Sequence, residues 1–169
     1  MHTFAQDARV LSEHQGMQYR EAHSGEGTAS FDAKWIRQVL LNLLANALKV
    51  SPPGGSIDIH SVLSGPSWRV SLVDEGSGVE PQSLQRIFER FVRLGAQTAA
   101  FDSGSGLGLA ICRSIVELHQ GRIWAEPGPE GRGLRVVFEL PRQPRLADDS
   151  ATARTGGGES ARHQQWHSD

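Results

Sequence analysis

Residues 33–50 constrain the fold most. Ile36, Val39, Leu40, Leu43, Leu44, Ala47 and Leu48 recur at three- and four-residue intervals behind Asp32, a residue suited to cap a helix, and Pro52, Pro53, Gly54 and Gly55 stop the pattern. A helix with one broad apolar stripe needs a second layer to cover it. The flanking runs supply that layer. SIDIHSVL (56–63) and WRVSLVD (68–74) alternate or run apolar over strand lengths around the turn residues Ser64, Gly65 and Pro66, and RIWAE (122–126) and LRVVFEL (134–140) form a second pair around PGPEGRG. MQYREA (17–22) reads as a further short strand.

FAQDARVLSE (4–13) places Phe4, Ala8, Val10 and Leu11 at loosely helical spacing. Pro81 suits a first helical position and opens a predicted helix carrying Leu84, Ile87, Phe88, Phe91 and Val92 on one face. From Leu107 a further helix carries Leu109, Ala110, Ile111, Ile115, Val116 and Leu118 and stops at Gly121, a suitable C-cap. The pattern predicts an α+β two-layer sandwich: a mixed, mostly antiparallel sheet of about five strands covered on one face by three helices. Residues 1–143 form the expected single domain, and 144–169, rich in Gly, Ser, Ala, Gln and His, read as a disordered tail.

Composition narrows the partners. Seventeen Lys and Arg stand against 19 Asp and Glu in 169 residues, a formal charge of −2 that gives no reason to expect nucleic acid or an anionic membrane. Anion binding must therefore be local. The single cysteine, Cys112, excludes an internal disulfide and a cysteine-based zinc cluster, and the histidines lack metal-ligand spacing. No apolar run approaches the roughly 20 residues that span a bilayer, and the N-terminus lacks a secretory signal. The expectation is a cytoplasmic chain, compatible with the cytosolic end of a membrane-bound sensor.

Three constellations carry chemistry. Gln38, Asn42, Asn46 and Lys49 lie on one stripe opposite the leucines of 33–50. Such a stripe is ordinarily a solvated face, yet Asn is a poor helix former, while an amide oxygen can ligate Mg²⁺ and an ammonium can meet a phosphate. In VDEGSGV an apolar strand ends at Asp74, with Gly76 and Gly78 following. This is either a capped turn or a carboxylate placed to accept from an exocyclic amine such as that of adenine, with glycines admitting a planar ligand. GSGLGL places Gly104, Ser105, Gly106, Leu107 and Gly108 ahead of an apolar helix, without the Lys-Ser/Thr of a P-loop or the spacing of a dinucleotide fingerprint. It is either a linker or a flexible loop that offers backbone N–H groups and a helix N-terminus to an anion.

In order, NLLANALK, DEGSG, IFERF and GSGLGLAI resemble the N box, first glycine box, F box and second glycine box of the ATP-binding catalytic domain of sensor histidine kinases, within the superfamily that includes gyrase and heat-shock chaperone ATPases. The resemblance runs from about Phe4 to Leu140. It implies ATP and Mg²⁺ as ligands, with Asn46 on the metal, Asn42 beside it and Lys49 on the phosphate chain. It implies Asp74 as the reader of the adenine amine, Gly76 and Gly78 as walls of the base pocket, and Phe88 and Phe91 as anchors of an ATP lid at about 92–103. Gly104, Ser105, Gly106, Leu107 and Gly108 would close on the phosphates, with Arg90 and Arg93 as lid-side phosphate contacts. Two positions depart from the family: Val50 stands where an aromatic usually packs by the adenine, and Gln120 replaces a common glycine.

The gyrase and chaperone branches carry a glutamate at the Asn42 position, and an amide is no general base. The resemblance therefore implies phosphoryl transfer to a protein histidine rather than ATP hydrolysis. None of the seven histidines here is followed by the acidic residue, Arg and Pro of a phosphoacceptor helix. The expected partners are ATP, a phosphoacceptor histidine domain of the same kinase and a downstream response regulator. Nucleic acid and direct membrane contact are not expected, and dimerisation would run only through helices outside this sequence. Two alternatives stay open, a serine protein kinase of the anti-sigma type and a non-catalytic nucleotide-sensing module.

Overall fold

The computed structural model describes residues 2–27, 29–92 and 106–142. Three helices, α1 (His2–His14), α2 (Ala33–Val50) and α3 (Gly108–Leu118), accompany five strands, β1 (Gln18–Ser24), β2 (Ser56–Ser64), β3 (Ser67–Val73), β4 (Arg122–Pro127) and β5 (Leu134–Pro141). The sheet runs β1-β2-β3-β5-β4, with β1 parallel to β2 and every other pair antiparallel. The parallel pair needs a crossover, and α2 is that crossover.

Local chemistry sets the frame. The Asp32 carboxylate accepts from Lys34 N–H (2.9 Å) and Trp35 N–H (3.4 Å), satisfying two of the N–H groups that a helix start leaves open. All seven predicted apolar positions of α2 are buried, at about 1.5–3 kcal/mol for each fully buried large side chain. They pack on the inward rows of the sheet, Ile57 and Ile59, Val70 and Leu72, Val136, Phe138 and Leu140. Trp68 joins them, stacked by Phe31 (4.6 Å) and met edge-on by Phe138 (5.7 Å), with its indole N–H given to Ser61 Oγ (2.8 Å).

The other face of the sheet carries cross-strand ion pairs. Arg20 meets Asp58 (3.1 Å), while Arg69 (2.7 Å) and Arg122 (3.2 Å) share Glu139, each pair standing directly opposite in register. The two arginines hold the Glu139 carboxyl below the usual range and flank Trp124, with Arg122 4.9 Å from its ring centre.

Four expectations are corrected. Residues 81–92 are not an α-helix: two 3₁₀ turns, Pro81–Ser83 and Arg86–Phe88, bury only Ile87 and Phe88, and the chain then turns extended at Glu89. Two buried side chains are too small an apolar face to hold three helical turns. In α1 the inward row is Phe4, Ala8 and Ser12, spaced by four, while Val10 and Leu11 face outward. In α3, Cys112 takes a core position, and Ile111 and Leu118 are exposed.

The last correction concerns the end of α3. Gln120, not Gly121, adopts the left-handed conformation (φ +58°). Gln120 N–H bonds to Glu117 C=O and Gly121 N–H to Val116 C=O, both at 2.9 Å, which is the Schellman pattern. Glycine at 121 is needed for space, because a β-carbon there would strike the Glu139 carbonyl. The proposed tail at 144–169 lies outside the described residues.

Candidate functional site

The polar stripe of α2 faces the start of α3. Asn42 Nδ2 donates to the Gly108 carbonyl (3.4 Å), and Asn42 Oδ1 accepts from Gln38 Nε2 (2.9 Å). Half-buried Asn46, one turn on, has its amide nitrogen rather than its oxygen nearest Gly108. Lys49 lies in the last turn of α2 and is exposed. Beneath the stripe, Cys112 Sγ points at the Val39 carbonyl (3.7 Å), and burial pushes its thiol up to about 12, which leaves it chemically inert.

No side chain caps the start of α3, where Leu107 holds the N-cap. A helix start leaves its first N–H groups without internal partners, and the helix dipole makes them attractive to an anion. Just ahead, Gly106 sits at φ +67°, and its carbonyl accepts from Phe91 N–H (3.0 Å). Phe91 is itself left-handed (φ +64°) and 73% exposed, whereas Phe88 is buried. The two F-box phenylalanines thus differ: Phe88 is held by its ring and Phe91 by its backbone. Arg90 is exposed. Arg93, Gly104, Ser105 and all of the expected lid beyond Val92 lie outside the described residues.

The third wall is the end of β3. Asp74 is buried, at 4% exposure, and its Oδ1 accepts from Gly76 N–H (2.8 Å) and Leu134 N–H (3.2 Å). Burial raises its pKa, and the two hydrogen bonds work against that rise. Gly76 meets Val50, whose Cγ2 would lie 2.7 Å from a β-carbon at 76, while Gly78 needs its left-handed φ of +72°. Glu75 turns away to Ser56 Oγ (2.8 Å), a hydrogen bond that holds its carboxyl below the usual range.

Helix α2 joins the walls. Asn42 and Asn46 face Gly108, and Val50 faces Gly76 about 6 Å further along the axis, one turn at 1.5 Å per residue. The pattern of the sequence did not mark Leu134 and Gly133: PGPEGRG read only as a turn, and the contact with Asp74 spans 60 residues. A groove lined by Pro66, Gln120, Arg122 and Arg142 lies at the opposite end of β3 and carries none of these groups. Among the described residues no set of three His, Cys, Asp or Glu is grouped to hold a metal, and no helix is long and apolar enough to cross a membrane.

Comparison with known proteins agrees with this geometry. The family described as histidine kinase-, DNA gyrase B- and HSP90-like ATPase matches residues 31–144. The adaptive-response sensory kinase SasA of Synechococcus sp. (strain CC9311) is 48% identical over 111 residues, 65% of this chain and 28% of that protein. The sensor histidine kinase WalK of Bacillus subtilis (strain 168) is 38% identical over 122 residues, 70% of this chain and 20% of WalK. The chain therefore spans less than a third of the length of these curated relatives. The catalytic domain of histidine kinase ThkA superposes with a TM-score of 0.71 at 30% identity, over 85% of this chain and 95% of that one. ThkA has also been solved with the response regulator TrrA, and that kinase chain superposes with a TM-score of 0.68 at 28% identity, over 85% of this chain and 41% of that one. The chain belongs to the histidine kinase-, DNA gyrase B- and HSP90-like ATPase family, as a catalytic domain of the sensor histidine kinase type.

Proposed function

We propose that this domain binds Mg-ATP between α2, the Asp74 loop and the start of α3, and delivers the γ-phosphoryl group to a histidine on a separate phosphoacceptor domain. The observation that carries the reading is the single line of groups along α2: Asn42 and Asn46 at Gly108, and Val50 at Gly76 beneath Asp74. Oδ1 of Asp74 is engaged by two backbone N–H groups, and its second oxygen, Oδ2, accepts from the exocyclic amine of adenine. The first N–H groups of α3, with those of Gly106 and Leu107, face the phosphates. The same reading assigns Gly104 and Ser105 to phosphate contact, Lys49, Arg90 and Arg93 to positive charge beside it, and Phe88 to the near end of the lid.

The donor set fits Mg²⁺. That ion keeps several waters and takes one or two protein oxygens beside those of the phosphates, and the Asn46 amide offers one without adding charge. When bound, Mg²⁺ neutralises charge that develops on the transferring group. The chain's own part is to position the triphosphate and to exclude hydrolysis. Asn42, bonded at both ends to Gln38 and Gly108, has no basic oxygen to take a proton from water. The attacking nitrogen of the acceptor imidazole forms the new P–N bond as the bond to the β–γ bridging oxygen breaks, and ADP leaves.

A response regulator is the proposed receiver of the phosphoryl group; the similar kinase ThkA has been solved in complex with one, TrrA. The purified chain, mixed with radiolabelled ATP, Mg²⁺ and a helical hairpin that carries a phosphoacceptor histidine, is expected to place acid-labile label on the hairpin and none on itself. Acid-stable label on a serine, or binding without transfer, would overturn the assignment.

A further inference from the structure

The β4–β5 turn leaves no room for a β-carbon at Gly128 or Gly133, and it presses on the Asp74 loop. Gly133 lies at φ +67°, and a β-carbon there would collide with the Asp74 carbonyl oxygen and come within 3.0 Å of Glu75 Cα. A β-carbon on Gly78 would in turn lie 3.0 Å from the Gly133 carbonyl oxygen. The next residue completes the grip: Leu134 N–H donates to Asp74 Oδ1 (3.2 Å), and Leu134 C=O accepts from Asp74 N–H (3.0 Å). The turn is braced internally, with Gly128 N–H on Gly133 C=O (3.1 Å) and Arg132 N–H on Pro129 C=O (3.0 Å). Gly131, two residues away at φ +74°, faces open space instead.

We propose that Gly133 and the Leu134 N–H are positioning elements of base recognition: the turn fixes the Asp74 carboxylate through the same Oδ1 that Gly76 N–H holds and thereby sets the preference for adenine over guanine. The inference rests on the reading of Asp74 as the adenine contact. A carboxylate only accepts hydrogen bonds. Aimed correctly, it welcomes the adenine amine and meets the guanine carbonyl with an unfavourable pairing of acceptors. A carboxylate displaced by a side chain at 133 loses both effects, while the phosphate contacts on α2 and α3 are untouched.

The two glycines give an internal control, because alanine at either position is strained by its positive φ and only alanine at 133 meets Asp74. Three variants of the chain, Gly133→Ala, Gly131→Ala and Asp74→Asn, are titrated with Mg-ATP, Mg-GTP and Mg-tripolyphosphate by calorimetry. Gly131→Ala is expected to lower stability while keeping the ATP-to-GTP affinity ratio within about twofold. Gly133→Ala is expected to weaken Mg-ATP by about tenfold or more, the scale of one charge-assisted hydrogen bond, to bring the ratio near one, and to leave tripolyphosphate within about twofold. Asp74→Asn should match it. If Asp74→Asn loses ATP and Gly133→Ala behaves like Gly131→Ala, the positioning role is refuted and the reading of Asp74 stands. If Asp74→Asn binds ATP as before, that reading falls and the positioning role falls with it. A wild-type measurement covers the case in which Gly133→Ala does not fold. The amide NMR signals of Leu134 and Gly76 should shift together on addition of Mg-ATP and stay in place with Mg-tripolyphosphate, and a Leu134 signal indifferent to ATP overturns the proposal.

Discussion

Asn42 on α2 is held at both ends, giving its amide N–H to the carbonyl of Gly108 (3.4 Å), the first residue of α3, and accepting from Gln38 (2.9 Å). Asn42→Asp replaces the donor with an acceptor that faces a carbonyl oxygen. A stability loss of about 1–3 kcal/mol is expected at neutral pH, the penalty for an unpaired polar group, measurable by urea unfolding. The new carboxyl is disfavoured in its charged form, so its folded pKa lies above the unfolded value of about 4. Stability present in acid is lost as pH rises through that window, and an unfolding midpoint that stays flat with pH would contradict the contact.

Asp74→Asn should separate stability from function. Burial raises the Asp74 pKa, so the folded protein holds this proton more tightly than the unfolded chain does. Stability then falls as pH rises from the unfolded carboxylate value of about 4 through the folded one, and above that the charge is a constant liability. The neutral amide removes it. The variant is expected to melt at a higher temperature than the wild type at pH 7, with the difference closing as the pH is lowered past the folded pKa, while Mg-ATP affinity drops by about tenfold or more. Scanning calorimetry at several pH values, paired with nucleotide titration, reads both arms.

Val50 packs on Gly76 with 51% of its surface exposed. An aromatic side chain there would offer a base a flat partner, and stacking of that kind is worth about 1–3 kcal/mol. Val50→Tyr is expected to tighten Mg-ATP by roughly fivefold to a hundredfold on that scale, without changing tripolyphosphate affinity. Equal gains for both ligands would mean that the added ring acts elsewhere.

Gln120 closes α3 in a conformation that favours glycine (φ +58°), while Gly121 beside it is required for clearance from Glu139. The neighbours therefore respond in opposite ways to exchange. Gln120→Gly should stabilise by about 0.5–1 kcal/mol, and Gly121→Ala should destabilise by more than that, both visible in thermal melts.

The legibility of the sequence followed the range of the interactions. Helix α2 was readable to the residue because its cap at Asp32, its apolar row and its stop at Ser51 are all local. The hairpin of β2 and β3 and the pairing of β4 with β5 were readable for the same reason, since each closes over a short turn. The helix expected at 81–92 does not form although its spacing is helical, because only Ile87 and Phe88 find buried places and the chain is already extended at Glu89. The parallel partner of β1 and the adjacency of β3 and β5 are set by contacts across tens of residues, which periodicity does not report. In the candidate site, Asn42, Asn46, Asp74 and the glycines were visible as residues out of character with their elements. Leu134 was not, because it contributes only a backbone N–H, and backbone groups leave no trace in side-chain pattern.

The bond from Phe91 N–H to the Gly106 carbonyl brings two distant points of the chain together on the folded body. Whatever runs between them leaves and returns at one place. The entropy of closing a flexible loop grows only as the logarithm of its length, so doubling the intervening chain adds roughly 0.6 kcal/mol. The cost of holding the two points together is thus set mainly by the tie itself rather than by how many residues separate them.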